Sequence, residues 1–313
     1  MGLQMKIKAR IPVGRSRALP LALIAVTCLP ALTQTNSRES PSAVAQLVRE
    51  TVANETSPGG DSVKHMFCDH KTSLQGSQTR LYIETRDAVA GMTIAYSGHP
   101  LTPQQLKDEE GRLTGLAENP EQLRRKQKAQ NEDSERTLRI IKAFPDAFLF
   151  KYDGTEPGSS SVGKEGAELI RLKFWPNPTY RPPSHVEDVL VGMSGFMAID
   201  PAQHRIARID GALFREVSFG WGILGHLDKG GHFFVEQEDV GDGSWEMSRM
   251  KLEFTGKVLL FKNLAIKSDE RFTNFRRVPS GTTFAQGVTL LKAEQARLAE
   301  GGAESAKVES KSR

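Results

Sequence analysis

From 147 to 278 the chain alternates apolar and polar residues with a period of two, in run after run, and this pattern confines it to an antiparallel sheet with one wet face. Ala207, Ile209, Leu213, Val217 and Phe219 fall on one face, with Arg208, Asp210 and Glu216 on the other. The same reading predicts strands over 147–153, 168–175, 195–200, 204–211, 233–238, 245–255, 258–266 and 272–278. The breaks between them carry their own chemistry. Proline cannot donate to a ladder, so the run 175–183, with Pro176, Pro178, Pro182 and Pro183, is a connection. Asp200-Pro201 has the signature of a type I turn, and Gly241-Asp242-Gly243 closes a hairpin.

The first half reads differently. Val44, Leu47, Val48 and Val52 recur at helical spacing across 43–55, and Pro58-Gly59-Gly60 ends that helix. One or two hairpins fit 63–97, with Gly76 as a turn. Thr102-Pro103 pairs a capping hydroxyl with the residue best tolerated at the first helical position, and two helices are expected over 103–117 and 120–143. The second carries Arg124, Arg125, Lys126, Lys128, Glu132, Asp133, Glu135, Arg136 and Arg139, which read as a solvated face. Its interleaved acids cancel the field that nucleic-acid binding would need. A last helix from Phe284 is expected to pass into a disordered tail over 300–313.

Lys6, Lys8, Arg10, Arg15 and Arg17 precede an apolar stretch, 18–32, with no acid among them, which is the pattern of an export signal. Its core, 19–29, contains Pro20 and is shorter than the about 20 residues that cross a bilayer. Cleavage is expected near 31–35, with lipidation of Cys28 as the alternative. The net charge is +4, so losing those five cations leaves the mature chain slightly acidic. Only Cys68 then remains, which excludes an internal disulfide. The expected organisation is a signal at 1–33, one domain over 34–285 with a helical insertion at 103–143, and a helix and tail at 286–313.

Gly220-Trp221-Gly222-Ile223-Leu224-Gly225 spells a dinucleotide fingerprint, but Gly230-Gly231 follows too soon for the helix that would hold a pyrophosphate. Two readings remain, a glycine-permitted loop folding over the core and an apolar flap that guards a cavity or touches lipid, and on the second Phe219, Trp221, Ile223, Leu224 and Leu227 are the candidate ligand-binding residues. His65, Cys68 and His70 are the nearest approach to a metal cluster, yet on a strand only Cys68 and His70 share a face. His226 and His232 bracket the glycine loop, within reach of Glu236 or Glu238. Ser159, Ser160 and Ser161 sit in a flexible Gly/Ser loop, a poor place to preorganise a nucleophile. No catalytic residue, metal or cofactor is therefore expected.

The hairpin made by Gly195-Phe196-Met197-Ala198-Ile199-Asp200 and Arg205-Ile206-Ala207-Arg208-Ile209-Asp210 resembles the central hairpin of outer-membrane lipoprotein-sorting proteins of the LolA, LolB and RseB type. Asp146-Ala147-Phe148-Leu149-Phe150-Lys151-Tyr152-Asp153-Gly154, Phe174-Trp175-Pro176-Asn177-Pro178 and Gly225-His226-Leu227-Asp228-Lys229-Gly230-Gly231 resemble uncharacterised exported proteins of soil bacteria. The first resemblance implies an α+β fold: a strongly curved antiparallel half-barrel with helices packed on its concave face, enclosing an apolar cavity. The expected function is non-catalytic binding of an acyl chain or lipidated partner in the periplasm, with peripheral membrane contact and no nucleic acid. A structural or regulatory envelope module binding another protein through a sheet edge or the charged helices is the alternative, and an enzyme the third reading.

Overall fold

The structure, a computed structural model, describes residues 40–57, 63–219, 224–241, 243–258 and 262–311. The expected signal segment and Cys28 lie outside the described residues.

Each helix begins where its cap chemistry says. Ser40 accepts the amide of Ala43 at 3.2 Å and Pro41 opens α1 (Pro41–Glu55), which buries Val44, Val48, Thr51 and Val52. Thr102 and Gln105 form a reciprocal capping box at the start of α2 (Pro103–Glu118). Asn119 ends α2, caps α3 (Pro120–Ala147) through the amide of Gln122, and is the whole connection between them. Pro145 sits in the last turn of α3, and the chain passes directly into β5.

Among the described residues thirteen strands form one antiparallel sheet: β1 (Lys64–Ser73), β2 (Gly76–Ile83), β3 (Ala90–Tyr96), β4 (His99–Pro100), β5 (Phe148–Pro157), β6 (Glu168–Pro176), β7 (Met193–Asp200), β8 (Arg205–Leu213), β9 (Val217–Phe219), β10 (Gly225–Leu227), β11 (His232–Gly241), β12 (Ser244–Val258) and β13 (Lys262–Val278). The order is β4-β3-β2-β1-β13-β12-β11-β8-β7-β6-β5, with β10 beside β12 and β9 beside β10. It does not close. A twisted open sheet of this many strands must curl, and the fold is the expected α+β type, a curved half-barrel with helices against it.

Two cores hold the helices on. Around Phe174, Leu172, Ile199, Met197 and Leu213, the strands β5–β8 meet α1 and the end of α3 at Phe144 and Ala147. Leu81, Ile83, Met92 and Cys68 of β1–β3 meet Leu113 of α2 and Phe284, Val288 and Leu291 of α4 (Phe284–Lys311). Each fully buried large side chain contributes about 1.5–3 kcal/mol. The other face of β5–β8 and β11–β13 carries a small apolar cluster and ion pairs: Arg208 bridges Glu156 and Glu236, and Arg249 takes Asp269 in a fork.

Two expectations are corrected. The runs 258–266 and 272–278 are not separate strands: β13 is continuous over seventeen residues. The polar stretch between them looked like a loop, but Ser268 and Glu270 are buried and Asp269 and Glu270 are ion-paired, while Asn274 takes a left-handed turn (φ 59°) where the register with β1 shifts. The Gly/Ser loop is not loose either. Val162 is buried with Leu169, Ala198, Ala207 and Trp245, and Gly163 exchanges backbone hydrogen bonds with β11, donating to Gln237 and accepting from Asp239. At φ 70°, with the Leu169 side chain 3.0 Å from where a Cβ would be, position 163 requires glycine.

Candidate functional site

The apolar flap expected from the sequence lies where β9 and β10 form a short hairpin, with β10 laid along the end of β12. Phe219 pairs with Gly225 across the hairpin, and Gly225 pairs with Val258. Glycine is needed at 225: its φ is 135° and a Cβ would fall 2.1 Å from the carbonyl oxygen of Lys257. Phe219 and Leu227 are half-buried and pack on the larger core together with Phe254. Leu224 at the tip is 47% exposed, Val258 37% and Ile266 39%, so the apolar layer runs out into solvent at this corner. Trp221 and Ile223 lie outside the described residues. The structure thus brings Phe219, Leu224 and Leu227 together and adds Val258, Phe254 and Ile266, which the sequence reading had placed only as strand residues. Lys229, Lys257 and Lys262 are exposed beside them.

Titratable groups gather at four places. His65 is buried, and its Nδ1 lies 2.7 Å from Oε1 of Glu246, while its backbone amide donates to Oε2 of Glu84. Burial pushes the Glu246 carboxyl up to about 7, helped by the neighbouring Glu84, and burial lowers the His65 imidazole. The ligand atoms of His65, Glu84 and Glu246 come within 4.8 Å of one another, a spacing a cation could bridge, but Arg205 and Lys64 beside Glu246 and Arg277 beside His65 oppose one. Glu216, His226 and Asp228 make a second such group near the apolar corner, exposed or half-exposed. His226 finds Asp228 at 3.3 Å rather than Glu236 or Glu238.

Cys68 and His70 share a face as expected, with Sγ and Nε2 3.5 Å apart, and His65 points elsewhere. Burial holds the Cys68 thiol up at about 11, which disfavours the thiolate that a metal or a nucleophilic role would use.

The fourth place was missed by the sequence reading. Arg80, Tyr82, Tyr96, Glu109, Arg112 and Lys126 line a cleft of about 460 Å³ between β2, β3, α2 and α3. Glu109 accepts the amide of Thr93 at 2.7 Å and chelates Arg112, which also donates to the carbonyl of Gly91. Side chains of α2 thereby satisfy the free edge of β3. Tyr82 lies flat over Gly91, where a Cβ would be 2.5 Å from its ring, and stacks on Phe67. The only sequence signal was Lys126 within the charged helix, read there as one of many solvated cations.

Among the described residues no helix is long and apolar enough to cross a membrane. No family model and no curated protein matches the sequence. The solved structures that are similar over most of the chain include two from bacteria. One is an outer membrane lipoprotein-sorting protein domain from Vibrio parahaemolyticus, 13% identical with a TM-score of 0.29, covering 79% of this chain and 97% of that one. The other is a DUF1329 family protein from Desulfovibrio piger, 9% identical with a TM-score of 0.27, covering 77% and 95%. At such scores the backbones run alike only loosely, and nothing about binding follows from them.

Proposed function

We propose that this protein is a non-catalytic envelope protein that binds an acyl-bearing ligand, a lipid or a lipidated partner, at the corner formed by β9, β10, β12 and β13. One observation carries the reading: Phe219, Leu227 and Phe254 pack on the larger core, the pairings Gly225–Val258 and Phe254–Ile266 put the exposed Val258 and Ile266 on the same face, and Leu224 stands exposed next to Gly225. Burial of apolar surface returns about 25 cal/mol per Å², so an acyl chain laid against this corner needs no dedicated polar chemistry to bind. Lys229, Lys257 and Lys262 suit the anionic headgroups of such a surface. The export signal read from the sequence supplies the compartment.

Uptake of a fluorescent fatty acid by the whole chain tests this. The double variant Leu224→Asp/Val258→Asp should keep its melting temperature, since both side chains are exposed, and lose most of the uptake. Uptake equal to wild type would overturn the reading. A second reading, strand addition by a protein partner, has its own support: β5 is the last strand of the sheet, and Leu149 on it is 42% exposed. Binding of an envelope protein that Leu149→Asp abolishes and Leu224→Asp/Val258→Asp leaves intact would favour that reading.

A further inference from the structure

We propose that the cleft between β2, β3, α2 and α3 is a binding site for an oxyanion, a phosphate or carboxylate group, held by Arg80, Arg112 and Lys126. The site lies apart from the apolar corner and does not depend on it. Three cations line the cleft against one lining carboxylate, and that carboxylate, Glu109, is already engaged by Arg112 and by the Thr93 amide.

The other two cations have no such partner in the cleft. Among the described residues Arg80 donates only to neutral oxygens, Oγ1 of Thr93 at 3.3 Å and the hydroxyl of Tyr82 at 3.4 Å. Asp69 pairs with it across the ladder but does not line the cleft; burial first and Glu270 next push that carboxyl up to about 6, against the lowering by Lys71 and Arg80. Among the described residues Lys126 has no ion pair or hydrogen bond. Its neighbours one turn away on α3 are Gln122, Leu123, Ala129 and Gln130, so no acid on its own helix can reach it, and Gln130 is committed to the backbone of Val89. Burial lowers the Lys126 ammonium, and Arg112 and Arg80 lower it further.

Like charges converging on one cleft cost free energy that an anion in their midst would offset. Fork-shaped guanidinium groups and a point-charge ammonium suit a tetrahedral or planar oxyanion. Tyr96 and Leu116 also line the cleft, apolar surface that suits a small ring or hydrocarbon portion of the same ligand.

Calorimetry and thermal melts of the whole chain with inorganic phosphate in low-salt chloride buffer test the site. Wild type should bind phosphate one to one and melt higher with it, and Lys126→Gln and Arg80→Gln should lose both effects at least tenfold. Lys126→Gln removes a repelled charge, so it should melt no lower than wild type without phosphate. Leu224→Asp/Val258→Asp should bind phosphate like wild type. Vesicles of phosphatidylcholine with phosphatidylglycerol separate the two sources of the oxyanion. Vesicle binding that needs Lys126, without binding of free phosphate, assigns the site to a lipid headgroup, whereas binding of free phosphate alone assigns it to a soluble ligand. If neither phosphate nor the anionic vesicles distinguish wild type from Lys126→Gln, the proposal is overturned.

Discussion

His65 of β1 meets Glu246 of β12 where β12 and β13 diverge: Nδ1 and Oε1 are 2.7 Å apart, the imidazole is lowered and the carboxyl is raised to about 7, both chiefly by burial. A carboxyl raised above its unfolded value of 4.5 stabilises the fold fully below that value and loses the contribution as pH rises through its folded pKa. His65 acts in the opposite sense, and only up to its unfolded pKa of 6.5. The stability difference between wild type and Glu246→Gln should therefore shrink from pH 6 to pH 8. Denaturant melts across that range check it, and a difference that grows with pH would contradict the arrangement.

The acid limb has another origin. Glu294 on α4 is held by Arg297 and Arg276, and their hydrogen bonds lower its carboxyl to about 2. A depressed carboxylate stabilises above 4.5 and loses this as pH falls through its folded value. Melting temperature should drop between pH 4.5 and 2, and the drop should be smaller in Arg276→Met, which already lacks one of the two cations.

Phe174 is 2% exposed and lies 4.8 Å, centroid to centroid, from Phe148. Phe174→Ala should cost about 3–5 kcal/mol in a urea melt. A loss below 1 kcal/mol would mean that the core around β6 is far looser than its packing indicates.

Gly195 faces Gly211 across β7 and β8, and a Cβ on it would come within 1.9 Å of the carbonyl oxygen of Asp210. The obstacle is backbone, which cannot rotate away. Gly195→Ala should destabilise by more than the about 1 kcal/mol spread of strand propensities, whereas Gly98→Ser, with open space around its Cβ position, should be limited to the strain of its φ of 77°. Paired thermal melts of the two variants rank them.

Much of the sheet was legible because its alternation is local. Ile209, Met197 and Leu172 lie on the buried face with Arg208, Ala198 and Arg171 on the other, as period two requires. The capping residue Thr102 fixed the start of α2 for the same reason, whereas the caps Ser40 and Asn119 went unread. What escaped depended on long-range pairing. Nothing local says that β1 lies against β13, and without that partner the stretch 267–271 reads as a polar break. The cleft escaped because Arg80, Arg112 and Lys126 stand on three elements, each in a locally ordinary setting. In the apolar corner the flap's composition pointed to Phe219, Leu224 and Leu227, but Val258 and Ile266 joined them only through the β10–β12 and β12–β13 ladders.

Cys68 pairs with Thr273, and the whole first hairpin reaches the rest of the sheet through that ladder. About 200 residues of chain separate the two partners. At about 5–20 residues per second of synthesis, β1 waits on the order of 10–40 s with an uncovered edge before β13 exists. Closing so long a loop makes this step slow even for the finished chain. A polypeptide delivered unfolded across a membrane would meet the same delay again, so the first hairpin is where a chaperone would be expected to hold it.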